Sequence, residues 1–126
     1  MTDAQTTFSG VLTVAIPVTD QQASKALLEG LGLTTTMDAE LQPGFRWIEL
    51  ALPDGGTTVS LVAPGEELRT GIDTGIRFGT PDARAAHEAL RGRGLDVGEL
   101  LDWETAPLMF SFLDPDGNRY YVTEAS

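Results

Sequence analysis

The sequence predicts an α+β domain made of two tandem strand-helix-strand-strand-strand (βαβββ) modules, and three observations carry that prediction. The chain repeats itself: VTDQQASKALLEGLGL (18–33) aligns without gaps on TPDARAAHEALRGRGL (80–95), pairing Asp20 with Asp82, Leu28 with Leu90 and Gly32 with Gly94, a spacing of 62. The same spacing brings Pro53-Asp54-Gly55 onto Pro115-Asp116-Gly117. Each copy also opens on alternating apolar residues and runs directly into a helix-capping segment, the pattern of a half-buried strand feeding a helix. Only two copies fit, and each is long enough for several elements, so short solenoid repeats are excluded.

In chain order, residues 1–9 are expected to be a short flexible leader, and 10–126 a single domain with module one at 10–68, a linker at 69–74 and module two at 75–126. TVAIPV (13–18) sets Val14, Ile16 and Val18 against Thr13, Ala15 and Pro17, a strand with one buried face. Asp20, or Thr19 beside it, supplies the cap of a helix that stops at Gly30. Module two repeats the plan with Ile76 and Phe78 as the apolar alternates and Thr80-Pro81 as cap and first-turn proline. GFRWIELAL (44–52) and LMFSFL (108–113) read as strands that enter the Pro-Asp-Gly turns, each followed by one more strand. Shorter strands are expected around Thr34–Met37 and Val97–Leu101. The helices then cover one face of the sheet.

Composition removes several classes of function. With 8 Lys+Arg against 19 Asp+Glu the formal net charge is −11, which disfavours a nucleic-acid partner and an anionic membrane surface, and raises the local concentration of cationic small molecules. The absence of cysteine excludes disulfides, a thiolate nucleophile and a thiolate metal site. The leader has no basic stretch followed by an apolar run, and no window approaches the length of a membrane span, so a soluble cytoplasmic protein is expected. The glycines are scattered over turns and helix ends with no phosphate-binding loop, and the one histidine, His87, sits inside the second helix without a nucleophile motif.

The order of Val18-Thr19-Asp20, a helix ending GLGL, GFRW with LPDGG, a second helix ending RGRGLDV, and FSFLDPDGNRYY resembles the vicinal oxygen chelate superfamily, the glyoxalase/bleomycin resistance/dioxygenase fold, over about residues 10–125. That resemblance implies a curved sheet cup. In the enzymes of the family each module gives the cup two metal ligands, usually His or Gln on the opening strand and Glu or His on the last. Carried onto this chain, the opening-strand positions are Thr13 and Gly75, and the last-strand position of module two is Tyr121. Its module-one mate is Val59 by strict spacing, or Ser60 if the Gly55-Gly56 pair holds an extra residue; strand alternation favours Ser60. The set contains no imidazole or carboxylate, so the expectation is no metal and no cofactor.

The same alternation places Phe45, Trp47, Glu49, Ser60, Arg77, Met109, Ser111 and Tyr121 on the cup face, with Thr13, Ala15 and Thr123, while Ile48, Leu50, Phe110, Phe112, Tyr120 and Val122 fall under the helices. Aromatic, thioether and hydroxyl groups on one concave face suit an organic ligand, although Trp47 and Met109 also fit plain core packing or a dimer seam. Glu49 and Arg77 need a partner, either each other or a ligand. Trp103, on a loop, fits either a ligand-stacking role or a cap over the core. The expected function is metal-independent binding of a bulky aromatic or cationic small molecule, similar to the bleomycin-resistance branch, with no catalytic residue assigned. The resemblance also implies a homodimer. An enzyme of the same fold with a non-standard site, a glyoxalase-like lyase, dioxygenase or isomerase, is the alternative.

Overall fold

Each copy of the repeat folds into its own unit, Met1–Pro64 and Gly65–Ser126, in the computed structural model, which describes residues 7–125. Residues 1–6 of the expected leader lie outside the described residues; Thr7 to Gly10 are exposed and carry no regular structure.

In unit one, β1 (Thr13–Pro17), α1 (Gln21–Gly30), β2 (Thr34–Gln42), β3 (Phe45–Ala51) and β4 (Thr58–Val62) give a mixed four-stranded sheet of order β1-β4-β3-β2. β1 runs parallel to β4, and the other pairs are antiparallel. The cap of α1 is Asp20, whose Oδ1 accepts from Ala23 N at 2.9 Å. The helix ends at Gly30, as expected, and Gly32, at φ 103°, then lets the chain reverse so that Leu33 N donates back to Leu28 O. α1 packs on β2, β3 and β4, and Gln21 ties its first turn to the sheet by donating Nε2 to Arg46 O and Leu61 O at 2.7 and 2.9 Å. Beneath it lie Ile16, Ile48, Leu50, Val59 and Leu61, all fully buried. β2 is longer than expected and leaves the regular ladder twice, between Thr35 and Met37 and between Glu40 and Gln42. On its helix side Asp38 gathers Lys25 from α1 and Arg46 from β3, at 2.9 and 2.7 Å. Arg46 first, then Lys25, holds the Asp38 carboxyl well below the usual carboxylate range.

Unit two repeats the plan with β5 (Asp73–Thr80), α2 (Ala83–Gly92), β6 (Asp96–Val97), β7 (Met109–Leu113) and β8 (Arg119–Glu124), in sheet order β5-β8-β7-β6. β5 begins at Asp73, inside the stretch expected to be linker. The cap of α2 is Asp82, bonded to Ala85 N at 3.0 Å, and Thr80-Pro81 stand outside the helix. Thr80 Oγ1 instead accepts from Asp82 N, so it braces the capping residue. β6 is only two residues long, with an isolated bridge from Leu101 to Met109 in place of its expected continuation.

The core of unit two is aromatic. Tyr120 stacks between Phe78 and Phe112, with ring centroids 5.9 and 5.0 Å away. His87 meets Phe110 edge-on at 5.0 Å and donates Nε2–H to Gly98 O at 2.9 Å, which commits the one imidazole to packing. The Asp-Pro-Asp-Gly-Asn turn between β7 and β8 is closed around Asp114. Its carboxylate accepts from the backbone N–H groups of Asp116 and Asn118, from Asn118 Nδ2 and, at 2.7 Å, from Tyr120 Oη. Burial first, and then the charge of Asp114, raises the Tyr120 hydroxyl far above the ordinary phenol range. Asn118 is wholly buried, and its Oδ1 accepts from Gly71 N and Ile72 N at 2.9 and 3.2 Å, which anchors the approach to β5.

Removing that carbonyl leaves two inward-facing N–H groups without this acceptor. Asn118→Ala is therefore expected to lose about 3 kcal/mol of stability in chemical denaturation, while Glu104→Ala on an exposed loop changes it by less than about 0.5 kcal/mol.

Candidate functional site

The face of each sheet turned away from its helix carries the polar and aromatic groups that alternation assigned to it. In unit one the register sets Ala15, Ser60, Glu49 and Met37 side by side across the four strands. Thr13 and Thr58 form the row on one side, and Trp47 and Ala39 the row on the other. Ser60 is fully buried, and its hydroxyl meets that of Thr13 at 2.5 Å. Glu49 does not wait for a ligand: Oε1 accepts from the Trp47 indole N–H at 2.9 Å and Oε2 from Thr58 Oγ1 at 3.3 Å. Those bonds fix the indole on the outer face, half-buried, with Phe45 beside it at 6.2 Å between ring centroids. Phe45 is 42% exposed.

Unit two presents the equivalent row as Arg77, Tyr121 and Ser111. The Arg77 guanidinium lies 4.2 Å over the Tyr121 ring and donates Nη1 to Gly75 O at 3.0 Å. Arg119, two residues before Tyr121 on the same strand face, donates Nη1 to Ser111 Oγ at 2.9 Å. Met109 pairs with Thr123 farther along that face. The expectation that Glu49 and Arg77 require each other or a ligand is thus corrected, because each is bonded by neighbours on its own sheet. Trp103 stands 57% exposed on the loop between β6 and β7, which removes its alternative role as a cap over the core.

Comparing the two rows decides one alternative and corrects another assignment. Ala15–Ser60–Glu49 in unit one matches Arg77–Tyr121–Ser111 in unit two, so Ser60, on the outer face, is the mate of Tyr121, and Val59 points into the core. Thr13 sits beside Thr58, but the residue beside Arg119 is Asp73 and not Gly75. The cause is a bulge between Asp73 and Arg77 that places Gly75 at φ 70°. Asp73 Oδ1 accepts from Gly75 N at 3.0 Å, and Thr74 Oγ1 accepts from Ile76 N while donating to Arg119 O. Spacing alone cannot show an inserted bulge, so Asp73 was hidden in the linker, although the two glycines flanking it in TGIDTG signal irregular backbone. Arg119 was legible by the same alternation that found Tyr121.

The opening-strand and last-strand positions are therefore hydrogen-bonded pairs in both units: Thr13 with Ser60, and Asp73 with Tyr121, whose Oη donates to Asp73 Oδ2 at 2.6 Å. Three neutral hydroxyls and one carboxylate, already bonded to one another, do not fit the ligand set of a divalent transition metal. Among the described residues no group of three or more His, Cys, Asp or Glu is gathered.

With this geometry in place, the comparisons identify the class. The chain belongs to the Glyoxalase/Bleomycin resistance protein/Dioxygenase superfamily, whose family model matches residues 10–121. Among solved structures it is similar to a superfamily member from Sphaerobacter thermophilus DSM 20745, at 28% identity and TM-score 0.83 over 94% of this chain and 98% of that one. It is also similar to TnmS3, an antibiotic binding protein from Streptomyces sp. CB03234, at 26% identity and TM-score 0.81 over 97% of this chain and 100% of that one. A fosfomycin resistance protein, FosX from Listeria monocytogenes, shares the fold at 11% identity, TM-score 0.71, over 97% of this chain and 96% of that one. Comparison with curated protein sequences finds no match. No helix among the described residues is long and apolar enough to cross a membrane.

The Asp73–Tyr121 bond raises the phenol, chiefly because the carboxylate accepts its proton, and the same bond first, with Gly75 N–H second, lowers the Asp73 carboxyl. With both phenols raised in the folded state, their contribution to stability is full below the unfolded value of about 10 and is lost as the pH rises through the folded values. An alkaline titration followed by phenolate absorbance is expected to show both tyrosines ionising late; Asp73→Asn returns one of them toward about 10 and leaves the other raised.

Proposed function

We propose that the chain is a metal-independent small-molecule binding protein that sequesters a bulky aromatic compound, and that it does so as a homodimer. The observation that carries this reading is the Phe45–Trp47 pair: two large rings held on the outer sheet face, with the indole orientation fixed by Glu49 and one ring still 42% exposed. Pre-positioned aromatic surface beside a few oriented polar groups is what an organic ligand recognises. The likeness to an antibiotic binding protein over 97% of the chain supports the same class of ligand. In this reading Phe45, Trp47 and Glu49 contact ligand on unit one, and Arg77, Met109, Ser111 and Tyr121 on unit two, with Trp103 stacking from its loop; Ser60, fully buried and bonded to Thr13, supports the face without touching the ligand. The net charge of −11 favours approach of cationic compounds at long range, so cationic as well as neutral aromatic antibiotics are suitable probes.

Thermal denaturation against such a panel tests the proposal. A true ligand at 100 times its dissociation constant adds roughly 2.7 kcal/mol of stability. Trp47→Ala is expected to weaken that ligand by about tenfold or more with a smaller loss of intrinsic stability. A flat response across the panel would sink the binding reading. Stoichiometric tightly bound metal, or conversion of the ligand to product, would move the protein to the enzymes of its family.

A further inference from the structure

We infer that the outer face of unit two binds a ligand's anionic oxygen group, a carboxylate or an ionised phenol attached to a planar ring, between Arg77 and Arg119. This inference rests on the binding role proposed above and names the chemistry of the ligand. The chain has 8 Lys+Arg, and four of them are in ion pairs: Lys25 and Arg46 with Asp38, Arg84 with Asp102, and Arg91 with Glu88. Arg77 and Arg119 differ. Among the described residues neither lies within ion-pair distance of a carboxylate, and each donates to a neutral acceptor, Gly75 O and Ser111 Oγ.

Both belong to one patch. Arg77 faces Tyr121 across the β5–β8 pair, and Arg119 precedes Tyr121 on the same strand face, with its guanidinium turned to Ser111, the neighbour of Tyr121 on β7. The carboxylate facing the pair, Asp73, is held by Tyr121 Oη through one oxygen and by Gly75 N–H through the other. Both arginines add to the lowering of its carboxyl, in agreement with their closeness to one spot. The Arg77 guanidinium is held over the Tyr121 ring before any ligand arrives, and its planar fork matches a carboxylate. Hydrogen bonds from two guanidiniums to one anion are charge-assisted and outcompete their present neutral acceptors.

The overall charge does not decide the sign here. At physiological ionic strength the screening length is about 8 Å, so distant carboxylates steer approach, while at contact two guanidiniums stand against the single carboxylate of Asp73 and set the preference.

Three probes of one shape test this by fluorescence titration of the full chain at neutral pH: anthracene carboxylate, the uncharged anthracene carboxamide, and aminomethyl anthracene as the cation. The carboxylate is expected to bind about tenfold tighter than the amide, with the cation weakest, and the preference shrinks as salt is raised. Arg77→Gln and Arg119→Gln, each checked for an unchanged circular dichroism spectrum, bring the carboxylate down to the affinity of the amide measured on the same variant. Should Arg77→Gln disturb the fold, Arg119→Gln and the salt series give the same decision. Equal affinities for carboxylate and amide, a preference for the cation, or a preference that survives both substitutions would overturn the anion site. In those cases amide binding that falls with Trp47→Ala leaves the binding function standing, whereas no binding of any probe counts against both.

Discussion

The carboxylate of Asp114 is the point on which module two depends. A two-faced strand is only as well specified as its register, because a slip of one residue exchanges every side chain between core and solvent. Asp114 accepts two backbone N–H groups of its own turn and the hydroxyl of Tyr120, so the turn and the first inward residue of β8 are fixed by one group. Asn118, bonded to the same carboxylate, extends the constraint to β5 through Gly71 and Ile72. With Tyr120 held in the aromatic core, Tyr121 has only the outer face to occupy, and there it meets Arg77, Asp73 and Ser111.

The two modules keep the same ladder and have changed what stands on it. Where unit one places a pair of small hydroxyls, Thr13 and Ser60, unit two places a carboxylate and a phenol. Glu49 and Ser111 are equivalent by register, yet the first anchors an indole and the second a guanidinium. One sheet thus offers aromatic surface and the other offers directed positive charge, from a common backbone plan. In each unit the opening-strand and last-strand side chains of this row satisfy one another.

Most of the fold was legible in the sequence because the repeat and the period-2 alternation are both local patterns. They located the helices and the core faces, with Ile48, Leu50, Phe110 and Phe112 buried as alternation required. What they missed follows from backbone geometry that leaves no trace in periodicity. The bulge at Gly75 inserts residues into β5 without breaking its apolar alternation, so constant spacing assigned Gly75 to the place that Asp73 takes. The first cap, Asp20, is where the sequence puts it, but the second is not: Thr80-Pro81 has the composition of a helix start, yet the repeat aligns Asp82 with Asp20, and the repeat is the better guide. Alternation offers Glu49 and Arg77 only each other or a ligand as partners and does not show the neighbours that hold them, Trp47 and Thr58 for the first, Gly75 O and the Tyr121 ring for the second.

β2 has one more consequence. It is the longest strand of its sheet, it lies at the edge, and it carries Met37 and Leu41 at 41% and 50% exposure. A straight apolar edge of that length is a template for pairing with another chain. Two irregularities in its ladder and the charges of Asp38 and Glu40 make it a poor one. The chain can therefore display apolar side chains at this edge without offering a regular template for an open-ended stack of copies.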